Sequence, residues 1–235
     1  MPDLGEEFDG ISGIARELRE RVTVPDRVAS VLRDRIFGGQ LPPGERILEG
    51  RLAQQLRVAQ PTVREGLRTL ESEGLVTRQT HRGCSVTKFS TEQWNQAFDL
   101  RIELEMLAAE WACKNRSKRE REELLRLHRN LEEAGKTGGR EKSVRADIEF
   151  HSAIWRFSGN EFLVRTLSQI AIPMFAFGTI AFQPLDYQAL AAAHKKIALT
   201  IISGDAKEAR RATKSVLERF KNLGDWQSKN SDVHR

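Results

Sequence analysis

Cysteine is scarce in this chain: Cys84 and Cys113 are the two among 235 residues, with no C-x-x-C spacing and no disulfide framework. No apolar run reads as long enough to cross a bilayer, the densest, residues 170–182, being interrupted by Pro173 and Gly178. The first twenty residues carry a net charge of −4 and show no basic segment ahead of an apolar one, so they read as a disordered acidic tail over 1–20 and not as a secretory leader. No internal repeat and no low-complexity stretch is evident. These absences lead to the expectation of a reduced, cytoplasmic protein with no membrane partner. Strong charge of one sign is also missing. Of the net +5, residues 21–90 hold twelve Lys/Arg against seven Asp/Glu, so the basic excess is densest there.

That basic region is also the most patterned. Val28, Leu32 and Ile36 recur at helical spacing between Pro25 and Gly38-Gly39, giving one amphipathic helix over 25–37. Leu48, Leu52 and Leu56 predict a second helix over 47–56, and Arg57-Val58-Ala59 is the only spacer before a third. In that third helix Val63, Leu67 and Leu70 form the inward seam, which leaves Arg64 and Arg68 one turn apart on another face. Gly74 suits the left-handed position that ends it. Residues 75–78 and 84–87 are short β-prone runs joined by 79–83, a two-stranded wing tipped with His81 and Arg82. A tight helix-turn-helix followed by such a wing is shaped for a DNA groove.

From Ser90 onward the period is helical. Ser90-x-x-Gln93, Ser117-x-x-Glu120 and Asp205-x-x-Glu208 resemble capping boxes. With breaks at 136–139, 158–160 and 183–184 they predict about six helices: 91–115, 118–135, 141–158, 161–182, 185–203 and 206–223. The expected fold class is mainly α, an N-terminal winged helix-turn-helix over 21–89 and a C-terminal all-α helical bundle over 90–225, followed by a tail over 226–235. Within the bundle, Asp147 and His151 stand at i, i+4 and share a face, and His194 sits on a later helix, so one ion is within reach of all three. Taken singly, each histidine is more often a satisfied or surface side chain than a ligand, and an i, i+4 Asp/His pair is more often an N–H···O pair.

The segments RIFGGQLPPGERI and LAQQLRVAQPTVREGLRTLESEGLV, with a wing closing on RG, resemble the winged-helix domain of the GntR family of bacterial regulators. The resemblance implies Arg51 and Arg64 as DNA contacts; helix face and wing tip extend the expected DNA-facing set to Arg68, His81 and Arg82, and it also takes in Gln60, Thr62 and Gly83. One departure stands out. Where most relatives open the third helix with a small hydroxyl residue and a base-reading arginine, this chain has Ala59 and Gln60, and a glutamine suits the N6/N7 edge of adenine.

FDLRIELEMLAAEWA, DIEFHSAIWRFSGNEFL and AAAHKKIALTIISGDAKEARRA are similar, in order and spacing, to the FCD effector domain of the FadR branch of that family. The resemblance implies a divalent transition metal (Zn, Ni or Mn) on Asp147, His151 and His194 beside a small carboxylate effector, with Arg101 also facing the effector pocket. The family's fourth ligand, a histidine, falls on Val216, which has no lone pair to give. A weakened metal site and a metal-free pocket in which the histidines meet the effector both remain open.

The expected function is therefore a transcriptional regulator and not an enzyme: a homodimer that binds a double-stranded DNA operator with an inverted repeat and answers to a small carboxylate effector. Two alternatives are a metal-dependent hydrolase domain fused to a DNA-binding module, for which an open Asp/His/His site is chemically adequate, and an effector-free structural DNA-binding protein.

Overall fold

The computed structural model describes residues 22–79, 83–115, 117–137, 139–181 and 185–231. The expected tail over 1–20, and the wing-tip residues His81 and Arg82, lie outside the described residues.

The N-terminal domain opens with α1 (Val24–Phe37), which begins on a capping box in which Thr23 and Asp26 satisfy each other's backbone groups, with Pro25 in the first turn. It buries Val28, Ala29, Leu32, Ile36 and Phe37. Next comes β1 (Arg46–Ile47), which corrects the expectation of a helix starting at residue 47. Ile47 points into the core and pairs with Cys84, while Leu48, 49% exposed, lies outside the inward stripe and caps the helix in an extended conformation. The two-stranded wing is accordingly a three-stranded antiparallel sheet in the order β1-β3-β2, with β2 (Val76–Gln79) and β3 (Gly83–Val86) joined in register from Val76↔Val86 to Gln79↔Gly83.

Helices α2 (Glu49–Leu56) and α3 (Gln60–Ser72) form the helix-turn-helix. The turn closes on Arg57, which holds φ +54, a conformation that disfavours a side chain. Val63, Gly66, Leu67 and Leu70 face inward. Gly66 has a packing reason: a Cβ there would stand 2.9 Å from the Pro25 carbonyl and from Val28, so only glycine lets α1 and α3 approach this closely. Gly74 ends the segment at φ +74, as its type and place predicted.

The helical domain consists of α4 (Thr91–Lys114), α5 (Lys118–Thr137), α6 (Gly139–Phe157), α7 (Glu161–Ala181), α8 (Tyr187–Ser203) and α9 (Ala206–Ser231). Reciprocal capping is seen at Ser90/Gln93 and Ser117/Glu120, and Asp205 accepts from the Glu208 backbone N–H. The last helix runs on to Ser231, past the end expected at 223 and into the segment read as a tail. Helix α4 packs along α9 and α6, α5 lies between α6 and α8, and α7 covers α4 and α6. Phe98, Phe150 and Trp155 are fully buried at the centre.

By length and composition Glu161–Ile180 does qualify as a candidate membrane span, contrary to the sequence expectation, yet half of that window is buried inside the protein. Leu163, Leu167, Ala171, Met174 and Phe175 belong to the core, which gives the apolar character a packing cause. Helix α6 also meets the N-terminal domain: Arg145 pairs with Asp34 and lies over the Phe37 ring, and Arg140 donates to the Gly38 carbonyl at 3.4 Å.

Candidate functional site

Two groups of side chains carry the chemistry. On the N-terminal domain, α3 presents Gln60, Arg64 and Arg68 to solvent, Thr62 is half-buried, and Arg51 on α2 and Gly83 at the start of β3 are exposed. Helix α3 is capped by the Ala59 backbone without a side-chain capping bond, so Gln60 is the exposed first residue of the helix and not its cap. Arg64, which helical spacing puts on a face away from the core, is held by a partner. Its Nε donates to Glu49 Oε2 at 3.1 Å, and the other oxygen of Glu49 accepts from Arg78 Nη1 at 2.8 Å. The Arg78 bond, opposed by partial burial, holds the Glu49 carboxyl below its ordinary pKa.

In the helical domain, five helices converge on a small cavity. Helix α6 supplies Asp147 and His151, α8 supplies His194, α4 supplies Arg101, α7 supplies Phe175 and α9 supplies Val216, all lining one cavity with about 20 Å³ of free space. That volume admits one ion or one water but no organic acid without side-chain movement. The three residues singled out from the sequence come together, their ligand atoms lying within 4.8 Å of one another.

The hydrogen-bonding logic of this cluster is specific. His194 Nδ1 lies 2.6 Å from the Leu190 carbonyl, which can only accept, so Nδ1 carries the proton. His151 Nδ1 lies 2.5 Å from Glu105 Oε2. Burial pushes the Glu105 carboxyl up, but the charges of His151 and Arg101 and their hydrogen bonds outweigh it and hold the pKa at about 2, so Glu105 is an acceptor and His151 Nδ1 also carries a proton. In the neutral imidazoles both Nε2 atoms are therefore bare lone pairs. They face each other at 3.0 Å, with Asp147 Oδ1 at 3.2 Å from one and 3.6 Å from the other. That oxygen is buried and has no hydrogen-bond partner. Burial also pushes the His194 imidazole below its ordinary pKa, against the opposing pull of Asp147, which favours the lone-pair form. With both imidazoles neutral, three electron-pair donors converge with no proton among them, an arrangement that fits a cation.

Glu105 escaped the sequence reading. It accepts from His151, from Arg101 Nε at 2.8 Å and from Trp155 Nε1 at 3.2 Å, so a buried carboxylate fixes the orientation of the His151 ring. The signal was present in RIELE, where Arg101 and Glu105 stand at i, i+4. Arg101 is consequently less available than the resemblance implied: one face of its fork is bonded to Glu105 and its guanidinium lies 4.1 Å from the Phe175 ring centre. Val216 does line the same cavity, with Leu217 and Phe220 beside it. These three give the cavity an apolar stretch of lining where the family pattern has a ligand.

Residues 25–86 match the bacterial regulatory proteins of the gntR family, and residues 96–219 match the FCD domain. The chain belongs to the GntR family and carries its FCD domain. Among curated relatives of this GntR chain, the HTH-type transcriptional regulator YdhC of Bacillus subtilis, itself uncharacterized, is 34% identical over 59% of the chain, and the match spans 62% of that relative's length. The probable D-xylose utilization operon transcriptional repressor of Paenarthrobacter nicotinovorans is 28% identical over 82% of the chain and 84% of its own length. Among solved structures, Escherichia coli McbR/YncC superposes with a TM-score of 0.74 at 22% identity, covering 88% of this chain and all of that one, which supports the fold. These relatives are regulators and not enzymes, which counts against the hydrolase alternative.

Proposed function

We propose that the protein is a transcriptional repressor of the bacterial cytoplasm that binds an inverted-repeat DNA operator as a homodimer and whose helical domain holds a divalent transition metal on Asp147, His151 and His194, beside which a small carboxylate effector binds. The observation that carries the reading is the buried set of three lone-pair donors, two of them imidazoles whose other nitrogens are already committed, in a chain that also bears an exposed recognition helix. A structural DNA-binding protein has no use for such a set, since burying unsatisfied acceptors costs stability unless something binds them. Three protein ligands leave positions open on the metal, which would act as a Lewis acid attracting the effector's carboxylate. It would also supply positive charge that Arg101, neutralised by Glu105, does not.

Two-fold pairing is supported by α4, which leaves Leu100 49% exposed and Leu107, two turns on, half-buried, while Leu104 between them packs against the core. The DNA-facing set is Arg51, Gln60, Thr62, Arg64, Arg68 and Gly83, together with His81 and Arg82. Calorimetric titration of the full chain with Zn²⁺, Ni²⁺ and Mn²⁺, repeated with His151→Ala, tests the site: binding by the wild type that the variant loses supports it. If the wild type binds none of the three ions, the metal is discarded and the histidines face the effector directly. Selection of binding sites from random duplex DNA, with sedimentation of the complex, tests the operator and the dimer. A selected site without two-fold symmetry, bound by a single chain, ends that part of the reading.

A further inference from the structure

We propose that Glu49 is a positioning residue for DNA recognition, drawing an arginine of the recognition helix and an arginine of the wing sheet to one point on the DNA-facing surface. The inference rests on the DNA-binding reading above. Glu49 sits in the first turn of α2, where a carboxylate is favoured by the helix dipole, but the dipole alone does not call for two guanidinium partners from two other elements. Arg64 comes from α3 and Arg78 from β2, 15 and 29 residues away, and each takes a different oxygen of the same carboxylate. Arg78 reaches further, to Glu71 near the end of α3 at 3.5 Å, so it lies across the gap between wing and recognition helix.

The geometry leaves Arg64 able to do both jobs. Its bond to Glu49 uses Nε, while its side chain stays 48% exposed. The two terminal nitrogens are chemically available to a phosphate or a guanine edge, in a direction set by the Nε bond. A long arginine that is otherwise free surrenders rotamer entropy on binding, and one already held surrenders less. An acid at a DNA-facing surface repels phosphates. Its presence between two arginines is explained if it trades sequence-independent attraction for a defined arginine direction.

The test uses the full chain and two duplexes, one selected by the wild type from random DNA and one scrambled from it, over a range of salt concentrations. Glu49→Ala and Glu49→Gln should both lower the ratio of selected to scrambled affinity by about tenfold. Both should also raise affinity for the scrambled duplex and steepen its salt dependence by about one unit, because two cations are released from one anion. In an Arg64→Ala background the Glu49 substitutions should change the ratio far less, since the effect runs through Arg64. An unchanged ratio with a wild type that discriminates overturns the inference and leaves the DNA reading standing. So does an equal rise on both duplexes, which is simple repulsion, or an equal fall with a lowered melting temperature, which is a folding role. If the wild type selects no site, the DNA reading and this inference fall together.

Discussion

The two domains each place one glutamate between two nitrogen donors from other side chains, and the settings differ. Glu49, its side chain 15% exposed, sits between Arg64 and Arg78 at the surface, whereas Glu105, 2% exposed, sits between Arg101 and His151 in the middle of the bundle. At the surface, water and salt screen the pair and either arginine can leave for another anion. In the core the same arrangement is locked: Glu105 cannot be removed without stranding a buried guanidinium, and it dictates which nitrogen of His151 is bare. Held in water, a carboxylate sets a direction that a ligand can take over. Held in the core, it sets a protonation state.

The largest expected effect breaks the buried half of the comparison. Glu105→Ala should destabilise the protein by about 3–5 kcal/mol, because Arg101, Trp155 and His151 all lose their acceptor. Glu49→Ala should cost less than about 1 kcal/mol. Urea denaturation of the two variants compares them directly, and similar costs would mean that burial does not separate the two carboxylates.

Next in size is the cation. At a metal concentration about 100 times its dissociation constant, a three-ligand site adds about 2.7 kcal/mol, seen as a melting-temperature rise of about 5–10 °C for a domain of this size. His151→Ala should abolish the rise and leave DNA-domain folding intact. Val216→His, in the lining of the same cavity, should enlarge it and resist a chelator longer. If Val216→His gains nothing while the wild type binds, residue 216 lies too far from the ion, and the apolar wall belongs to the effector alone.

How much of this was legible beforehand depended on sequence distance. The Asp147/His151 pair could be read because helical spacing alone puts such residues on one face. The capping boxes at Ser90 and Ser117 could be read for the same local reason. Strand β1 could not: two residues pairing with a strand nearly forty positions later leave no period, and Leu48 mimicked the start of a helical stripe. The triad of Glu49, Arg64 and Arg78 was hidden likewise, since its members sit on three elements that only the folded sheet and helices bring together. Glu105 is the different case. Its spacing from Arg101 was visible, but a charged residue among apolar ones does not announce that it is buried until its partners from α6 are in place.

A smaller effect sharpens the surface half. Arg64→Ala should weaken operator binding and lower the salt dependence by about one unit if the guanidinium meets a phosphate. If it reads a base instead, the salt slope should stay nearer the wild-type value while discrimination at one base pair drops. Both slopes and half-site preferences come from the same fluorescence titrations, and no change in either would remove Arg64 from the interface.

The smallest effect isolates the charge on Glu49 from its shape. Chiefly through its bond to Arg78, its folded pKa lies below the ordinary carboxylate value of 4.5. A depressed acid contributes stability that is fully present above the unfolded pKa and is lost as pH falls through the folded one. The difference in unfolding free energy between wild type and Glu49→Gln should therefore hold steady from neutrality to about pH 4.5, stay below about 1 kcal/mol there, and shrink as the pH is lowered further. Denaturation midpoints of the two proteins at pH steps between 7 and 3 measure it. A difference that persists unchanged at the acid end would mean that the glutamine fails by shape, and that the carboxylate charge does not hold Arg64 and Arg78 in place.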